Sequence, residues 1–458
     1  MDRMIGRERE MELLNSSFGE SSAFLIFGRR RIGKTFLLEH FCEGKRNLFF
    51  TCVQEDDNLQ YFADVVSDFT GVPRDAYGGY YEFFKDLGSI CMGQPTVVVM
   101  DEFQFLAMRN REVLSYVQQF IDTRLSHTGS MLILCGSSVR FMRSLNEDGR
   151  NPLYGRFRRI IHLGPLTFEQ CRQFHPGMSD MDCMRLYLTV GGIPRYHREI
   201  HQDTYEGCIK ENFLSDGWML DEADSLIMAE FSPSEQYIAV LAAISKGAVR
   251  LKDISGKVGV DESTCSGYLR ELIKSGIVGV IHPMMGAPKR RVFYIADNLF
   301  AFHHEVIVRR RSMISNQYPD RSYSEIKQHI DTFLGRRFEL FCEDFIRKNY
   351  IVTEMGKWWI DDPKRNVHED IDIVARLLYS GNRIDLFVEC KFTKSSVGFH
   401  EYNILERRVE DHMRDSNARL CMISVSGFDR DLEEFAEGAR VLLIGPEELF
   451  GYSPVPEI

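Results

Sequence analysis

The sequence predicts an α/β fold built from several domains, and three observations lead to this prediction. Apolar runs such as Phe24–Phe27 and Thr96–Met100 have the length and composition of buried parallel strands. Helical patterns follow these runs, as in β-α units. The chain also has 458 residues, which exceeds one ordinary hydrophobic core and indicates two to four domains.

The first strand leads into a glycine turn with the spacing of a phosphate-binding loop. The pattern G-x-x-x-x-G-K-T is formed after Phe24–Phe27 by Gly28, Gly33, Lys34 and Thr35, with Arg29, Arg30, Arg31 and Ile32 between the glycines. Backbone N–H groups of such a loop surround a β-phosphate, Lys34 neutralises phosphate oxygens, and Thr35 offers a hydroxyl to Mg²⁺. A chance glycine turn would not require Lys-Thr before a helix. We therefore expect bound ATP and Mg²⁺.

The composition describes a folded protein without a secretory or membrane segment. Hydrophobic residues make up 44% and charged residues 27%, and no apolar run reaches the length of about 18 residues that spans a bilayer. The net charge of −11 argues against a uniformly basic nucleic-acid surface but leaves room for local basic patches. The eleven cysteines form no C-x-x-C pair, so they indicate neither a zinc site nor a disulfide framework. We expect a cytoplasmic protein with free thiols.

The second apolar strand ends in two acidic residues, Asp101 and Glu102. Ligands of parallel sheets bind at the carboxyl ends of the strands, so these carboxylates should lie beside the phosphate loop. Asp101 is then expected to hold Mg²⁺, through water or together with Thr35, and Glu102 to activate the attacking water. The alternative interpretation is a pair of N-cap residues for the next helix.

Together the motifs resemble those of a prokaryotic AAA+/STAND-type ATPase family. The resemblance rests on the phosphate loop, V-V-V-M-D-E, L-C-G-S-S, the Y-G-R-F segment and Gly191–Pro194, for which a simple helix stop is the alternative. Members of that family typically carry a winged helix and then a C-terminal domain similar to restriction endonucleases. The resemblance covers most of the chain and implies both of these domains here.

The resemblance also implies roles for residues outside the two main motifs. Gly6 and Arg7 belong to an I-G-R-E stretch that is similar to the box packing against the adenine, although a short surface turn would look the same. Ser137 or Ser138 would sense the γ-phosphate. Arg156 would reach the γ-phosphate from its own subunit or from a neighbour in a homo-oligomer, unless it is an ordinary surface arginine.

The middle of the chain is predicted to contain two helical domains. Residues 166–230 have helical periodicity and follow the ATPase core of residues 1–165, so they are assigned to a lid over the nucleotide. Residues 231–300 show three helices and two strands, the order of a winged helix-turn-helix. Its candidate DNA contacts are Ser263, Ser266, Tyr268 and Arg270 on the third helix and Lys289, Arg290 and Arg291 on the wing. A packing or protein-interaction module is the alternative.

Residues 329–458, after a predicted polar linker at 301–328, carry a second set of polar residues. Asp372 lies on one alternating strand, and Glu389 and Lys391 lie two apart on the next strand, which puts both of their side chains on one face. A preceding helix carries further carboxylates on a single face, Glu339 and Glu343.

These residues resemble the D…E-x-K pattern of the PD-(D/E)xK nucleases. The resemblance implies that Asp372 and Glu389 hold Mg²⁺, and that Glu339, or Glu343 in its place, completes the site. Lys391 would orient or deprotonate the attacking water. A solvent-facing strand with alternating charges is the alternative.

The sequence thus predicts an ATPase whose nucleotide state controls a C-terminal nuclease-like domain acting on DNA. The rival interpretation is an ATP-dependent regulatory switch whose C-terminal half only binds DNA or a protein partner. A transporter or kinase is disfavoured, because neither a membrane segment nor an acceptor pocket is evident.

Overall fold

The computed structural model describes residues 3–54, 58–285, 291–314, 318–362, 367–413, 417–439 and 441–457. These residues form two compact units. The first unit contains the chain up to Gln170 together with Gly192–Glu199, and the second contains Cys171–Gly191 and the chain from Ile200 onward. Each unit holds one five-stranded sheet.

The sheet of the first unit is parallel and has the strand order β2-β3-β4-β1-β5. Its strands are β1 (Ser22–Phe27), β2 (Asn47–Thr51), β3 (Val97–Asp101), β4 (Met131–Gly136) and β5 (Arg159–His162). Strands β1, β3 and β4 are buried at every position, because helices cover both faces of the sheet. Since β1 and β3 both pair with β4, the loops after these three strands emerge at one edge. The predicted parallel sheet of a P-loop NTPase is confirmed.

Helices connect the strands of this sheet. They are α1 (Glu8–Ser16), α2 (Lys34–Cys42), α3 (Asn58–Thr70), α4 (Tyr80–Gly93), α5 (Phe103–Arg109), α6 (Val113–Thr123), the 3₁₀ turn Leu125–His127, and α7 (Val139–Glu147). Phe50, Phe62 and Phe83 pack against one another between β2, α3 and α4, with ring centroids 4.8 to 5.2 Å apart. This aromatic contact fixes the helices on one face of the sheet.

The region predicted as a single lid, residues 166–230, is divided between the two units. Its helices are α8 (Phe168–Arg172), α9 (Asp180–Val190), α10 (Pro194–Glu199), α11 (Tyr205–Ile209), the π-helical segment Lys210–Leu214, and α12 (Glu222–Glu230). Helix α10 belongs to the first unit, whereas α9, α11 and α12 belong to the second. A backbone hydrogen bond of 2.7 Å from Leu166 N to Gly192 O holds the start of the α10 segment in the first unit.

Three helices and an antiparallel strand pair follow in the order that the sequence predicts. They are α13 (Ser234–Ser245), α14 (Leu251–Val258), α15 (Glu262–Lys274), β6 (Val278–Ile281) and β7 (Val292–Ile295). Asp261 begins α15 as an N-cap, because its Oδ1 accepts a 2.9 Å hydrogen bond from Thr264 N. Of the predicted wing cations, Lys289 and Arg290 lie outside the described residues.

The predicted polar linker at 301–328 is instead largely helical. The chain forms α16 (Asn298–Phe302), the π-helical segment His303–Ile307, a 3₁₀ segment at Val308–Met313 and then α17 (Pro319–Asn349). The polar composition concealed a buried stripe, because Tyr323 and Ile326 on α17 pack inward at helical spacing. The helix that the sequence predicts around Glu339 and Glu343 is therefore only the second half of α17.

The sheet of the second unit is mixed, with the order β12-β11-β10-β9-β8. Its strands are β8 (Val352–Asp362), β9 (Val367–Tyr379), β10 (Asn382–Lys391), β11 (Ala418–Ser424) and β12 (Val441–Ile444). Strands β8, β9 and β10 pair antiparallel, and β10, β11 and β12 pair parallel. The helices α18 (Phe399–His412), α19 (Arg430–Gly438) and α20 (Pro446–Leu449) connect or follow the last strands. Val374, Phe387 and Met422 join Leu405 of α18 in one apolar core.

The chain after β6 forms backbone hydrogen bonds with β8. Met284 N donates to Lys357 O at 2.9 Å, and Lys357 N donates to His282 O at 3.0 Å. The approach is so close that a Cβ on Gly356 would lie 2.0 Å from His282 O, and only glycine fits there. The strand pair β6–β7 is thus joined to the edge of the C-terminal sheet.

The structure bears on two expectations, which concern membrane-spanning segments and the cysteines. Among the described residues, no helix is both long and apolar enough to cross a membrane. All eleven cysteines lie within the described ranges, where each is buried and has a free thiol.

Candidate functional site

The turn after β1 has the geometry of a phosphate-binding loop. Gly33 adopts a left-handed conformation, with φ at 90°, and begins α2. Lys34 is the first residue of that helix and is 5% exposed. Its Nζ donates to the carbonyl oxygens of Gly28 at 3.0 Å and Arg29 at 3.1 Å. The amine therefore lies inside the loop, beside the amino terminus of a helix that favours anions.

The middle of the loop contains Arg30, Arg31 and Ile32, of which Ile32 is buried and the arginines are half-buried. Arg31 has a positive φ of 68°. Burial lowers the pKa of Arg31, and the positive charge of Arg195 on α10 lowers it further. The cationic side of the loop thus includes a residue of α10, which the sequence analysis did not assign.

The predicted I-G-R-E stretch lies against the same loop. Arg7 is 7% exposed, and its Nη2 donates to Ile32 O at 3.1 Å and to Gly164 O at 2.8 Å. Gly6 N donates to the carboxylate of Glu8 at 3.2 Å, which closes the turn before α1. Arg7 therefore supports the backbone of the phosphate loop, a contact that the sequence pattern did not indicate.

The acidic pair after β3 lies beside the loop. Thr35 Oγ1 donates to Asp101 Oδ2 at 2.6 Å, so the hydroxyl and the carboxylate lie side by side. Asp101 is 2% exposed, and its other oxygen accepts a 2.9 Å hydrogen bond from Glu102 N. Hydroxyl and carboxylate oxygens are the donors that Mg²⁺ prefers, so this pair fits that ion.

Glu102 is held by residues of two elements. It has a left-handed backbone conformation with φ at 52°, and its Oε2 accepts hydrogen bonds from Ser137 Oγ at 2.6 Å and Ser137 N at 3.2 Å. Gln104 Nε2 also donates to Glu102 Oε2, and to Ser137 Oγ at 3.1 Å. Burial raises the pKa of Glu102, but the hydrogen bonds from Ser137 and Gln104 outweigh burial, and the pKa is lowered. The carboxylate is therefore ionised at neutral pH.

Arg156 is not brought to this site within the chain. Its guanidinium forms a bidentate ion pair with Asp122 at the end of α6, with distances of 3.0 and 3.1 Å. It lines a shallow cavity together with Ser22 and Ala23, at the amino end of β1. The phosphate loop follows the opposite end of that strand, about 13 Å away at the usual rise per residue. A role of Arg156 at the γ-phosphate of its own chain does not agree with this placement.

A second cluster of charged residues lies in the C-terminal sheet. Asp372 of β9 and Glu389 of β10 are on neighbouring antiparallel strands, and Asp372 Oδ2 accepts a 2.8 Å hydrogen bond from Cys390 N. Lys391 Nζ donates to Glu389 Oε1 at 2.7 Å. Burial and the nearby carboxylates of Glu389 and Glu339 raise the pKa of Asp372 to about 7. The side chains of Asp372, Glu389 and Lys391 therefore lie close together, and the carboxylates are near enough to repel one another.

Residues from three more elements complete this cluster. Glu339 of α17 forms an ion pair with Lys357 of β8. Arg408 of α18 donates to Glu389 Oε2 at 3.5 Å and to Asp370 O at 2.8 Å. Burial raises the pKa of Glu343, the second helical carboxylate. Neither Lys357 nor Arg408 could be predicted from the sequence, because nothing in the E-x-K spacing points to cations on other elements.

The candidate DNA contacts of α15 differ in their exposure. Ser263 and Arg270 are exposed, as is Arg291 before β7. Ser266 is half-buried. Tyr268 packs edge-to-face against Tyr237 of α13, with ring centroids 4.9 Å apart, so this ring serves the packing of the helices. A tyrosine at a helical core spacing would have indicated this role in the sequence.

Two family models match separate parts of the chain. A family model described as an AAA domain matches residues 3–171, and the DUF234 model, described as archaea bacterial proteins of unknown function, matches residues 303–403. The structure is similar to that of the Walker-type ATPase paby2304 of Pyrococcus abyssi, with a TM-score of 0.52, 20% identity, and coverage of 66% of this chain and 96% of that chain. At this identity the similarity shows a shared fold.

Two relatives come from the archaeon Methanocaldococcus jannaschii. The uncharacterized protein MJECL04 is 29% identical over 440 residues, which cover 93% of this chain and 94% of that protein. The uncharacterized protein MJ0424 is 35% identical over 85 residues, which cover 18% of this chain and 82% of that protein. The similarity to MJECL04 therefore runs through both units.

Proposed function

We propose that this chain, which belongs to the same family as MJ0424 and joins an AAA domain to a DUF234 segment, is an Mg²⁺-dependent ATPase that controls a C-terminal nuclease-like site. The observation that carries the first part is the 2.6 Å contact between Thr35 and Asp101 beside the buried Lys34. It joins the two motifs that ATP hydrolysis needs. The 1–165 core would supply this activity, and the C-terminal residues would act on DNA.

Each site residue of the first unit has a distinct role in this proposal. ATP with Mg²⁺ supplies the phosphoanhydride bond and the charge that polarises it. The loop amides, the amino terminus of α2 and Lys34 bind the phosphates, while Thr35 and Asp101 hold the ion. Glu102 orients water and takes its proton. The hydrogen bonds from Ser137 and Gln104 go to Oε2, so Oε1 is the atom of Glu102 that receives the proton.

The residues of the C-terminal cluster fit a divalent cation. Asp372 and Glu389 offer hard oxygen ligands on adjacent strands, and Glu339 adds a third carboxylate from α17. The raised pKa of Asp372 supports this fit, because crowded carboxylates without a cation retain a proton. Together with α17 and the strands β8–β10, the cluster supports a restriction-endonuclease-like domain at 329–458. Phosphodiester hydrolysis is the chemistry that Mg²⁺ at such a site supplies.

Lys391 is proposed to orient water rather than to deprotonate it. Burial lowers the pKa of this amine, but the hydrogen bond to Glu389 outweighs burial, and the pKa is raised. A charged ammonium donates hydrogen bonds and cannot accept a proton. The sequence left both roles open, and the ion pair with Glu389 favours orientation.

Arg156 can contribute to hydrolysis only from a neighbouring subunit in this proposal. Its pairing with Asp122 at the amino ends of the strands leaves the side chain 28% exposed, at a surface that another copy could approach. A homo-oligomer would then be the active form. Mixing the Lys34→Ala and Arg156→Ala variants tests this idea, because each inactive variant would restore the site that the other lacks. Restored activity supports the role in trans, and its absence contradicts it.

The experiment that tests the proposal is DNA cleavage by the full chain with Mg²⁺ or Mn²⁺, with and without ATP. Lys34→Ala and Lys391→Ala are compared with Lys394→Ala, an exposed lysine three residues along the chain. We expect cleavage that Lys391→Ala abolishes, that Lys34→Ala makes insensitive to ATP, and that Lys394→Ala preserves. Intact ATP hydrolysis without cleavage by any variant would favour the rival, a switch whose residues 231–458 bind DNA or a protein partner.

A further inference from the structure

Two adjacent histidines and an aspartate meet in the second unit. His303 and His304 begin the π-helical segment His303–Ile307, and Asp224 lies on α12. His303 and His304 are 2% exposed. These positions lie on either side of the predicted winged helix in the chain, so residues 231–300 separate one partner from the other two.

The ligand atoms of the three side chains are close together. His303 Nε2 is 3.2 Å from Asp224 Oδ2, and His304 Nε2 is 4.0 Å from Asp224 Oδ1. One potential ligand atom from each residue lies within 4.8 Å of the others. Ligands around a tetrahedral zinc ion at 2.0–2.1 Å are about 3.3 Å apart, so small side-chain rotations suffice to reach coordination distance.

Aligned hydrogen bonds leave most polar atoms of this cluster unsatisfied. Within the described part of the chain, both ring nitrogens of His303 and of His304, and Asp224 Oδ1, are buried without an aligned hydrogen-bond partner. Buried polar groups are normally satisfied, so five such atoms in one place require an explanation. A bound cation would satisfy the three atoms that converge.

The backbone supports the same conclusion. Adjacent residues of an α-helix do not face each other, yet these two rings both approach Asp224, and their planes are nearly perpendicular, at 88° with centroids 5.0 Å apart. The wider π-helical turn makes this possible, and such turns occur frequently at functional sites.

We propose that Asp224, His303 and His304 bind one divalent first-row transition-metal ion, with Zn²⁺ as its occupant. Two imidazoles and a carboxylate suit Zn²⁺ better than Mg²⁺, which prefers oxygen ligands. The site uses no cysteine, which is why the cysteine spacing gave no sign of it. Because Asp224 precedes residues 231–300 and the two histidines follow them, the ion would hold the two ends of that segment together. The proposal is independent of nucleotide hydrolysis and of DNA cleavage.

The test measures metal binding by the full chain in excess Mg²⁺, which occupies the two oxygen-rich sites. After chelation and dialysis, Zn²⁺ stoichiometry is determined by competition with a chromogenic chelator, and Co²⁺ binding by visible absorption. We expect one tight Zn²⁺ per chain and a rise in the unfolding temperature with Zn²⁺. His304→Ala and Asp224→Asn should weaken binding by more than about tenfold and abolish this rise.

Two control variants separate this site from other candidates. His127→Ala removes an exposed histidine of the first unit, and Asp372→Asn removes a carboxylate of the C-terminal cluster. Both should retain the tight Zn²⁺. If His304→Ala misfolds, Asp224→Asn preserves side-chain volume and still tests the site. A Zn²⁺ affinity that is unchanged in Asp224→Asn, or no Zn²⁺ on the wild-type chain in excess Mg²⁺, would overturn the proposal.

Discussion

The hydroxyl of Thr35 lies 2.6 Å from the carboxylate of Asp101, although 65 residues separate them in the chain. Thr35 is fixed by the first turn of α2, and Asp101 by the last position of β3. The contact exists because β1 and β3 are parallel neighbours of β4, so that their carboxyl ends meet at one edge. The pair proposed to bind Mg²⁺ therefore depends on the order of the strands.

Replacing Lys34 by alanine should abolish ATP hydrolysis. The buried amine lies inside the phosphate loop, where it would neutralise phosphate oxygens, and its removal should lower kcat/KM by at least about a hundredfold. Lys45→Ala is a matched control, because Lys45 follows the other end of α2 and donates to Phe41 O. Steady-state phosphate release measures both variants. Comparable losses in the two variants would contradict the assignment.

Replacing Ser137 by alanine should shift the pH dependence of hydrolysis. Hydrogen bonds from Ser137 and Gln104 lower the pKa of Glu102 against the effect of burial, so loss of the hydroxyl raises it. A general base works above its pKa, and the activity of the variant should therefore disappear at a higher pH than that of the wild type. Profiles of kcat against pH measure the shift. Ser137→Thr keeps the hydroxyl and should have the pH profile of the wild type. Superimposable acid limbs would rule out Glu102 as the base.

Replacing Gly136 by alanine should impair catalysis more than nucleotide binding. The new Cβ would lie 2.3 Å from Gln104 Oε1 and 2.6 Å from Met142 Sδ, so Gln104 must move away from Glu102 and Ser137. We expect kcat to fall about tenfold, with nucleotide affinity changed less than about threefold. Gly149→Ala is the control, because its Cβ would meet no atom within 4 Å. Equal kcat values in the two variants would show that Gln104 has no positioning role.

Replacing Asp372 by asparagine should stabilise the metal-free protein at alkaline pH. The pKa of Asp372 is raised to about 7, so the folded state retains a proton that the unfolded state has lost. Wild-type stability should thus fall as pH rises from about 5 to about 8, and the variant should lose less. Mg²⁺ should stabilise the wild type more than the variant at the upper pH, because the variant keeps only the proposed site at Thr35 and Asp101. Thermal unfolding measures both effects, and identical curves for the two proteins would contradict a crowded cation site.

The sequence predicted best where one element carries both the pattern and the function. Phe24–Phe27, the glycines and Lys34 are contiguous, so strand, turn and helix follow from local propensity and spacing. In the same way, the spacing of Glu389 and Lys391 on one strand predicted that their side chains share a face, and the two side chains form an ion pair. Residues of this kind need no knowledge of which elements become neighbours.

Contacts between elements that are far apart in the chain could not be predicted from the sequence. Gln104 and Ser137 converge on Glu102 only because β3 and β4 are adjacent, and a glutamine after D-E-F has no signal of its own. The position of Arg156 required knowledge of which end of the sheet it follows. Likewise, Asp224 and His303 are 79 residues apart, and no spacing motif relates them. The stretch at 301–328 was predicted as a linker from its polar residues, but a few buried side chains such as Tyr323 and Ile326 are enough to pack it as helix.

The hydrogen bonds between His282, Met284 and Lys357 protect a sheet edge. Strand β8 ends the C-terminal sheet, and an uncovered edge strand offers its backbone to other chains. In the intact protein the segment after β6 occupies part of that edge, and its close fit at Gly356 excludes a side chain there. A fragment starting at residue 301 would lack this cover. Such a fragment should self-associate, so solubility of the C-terminal half depends on keeping residues 278–295 attached.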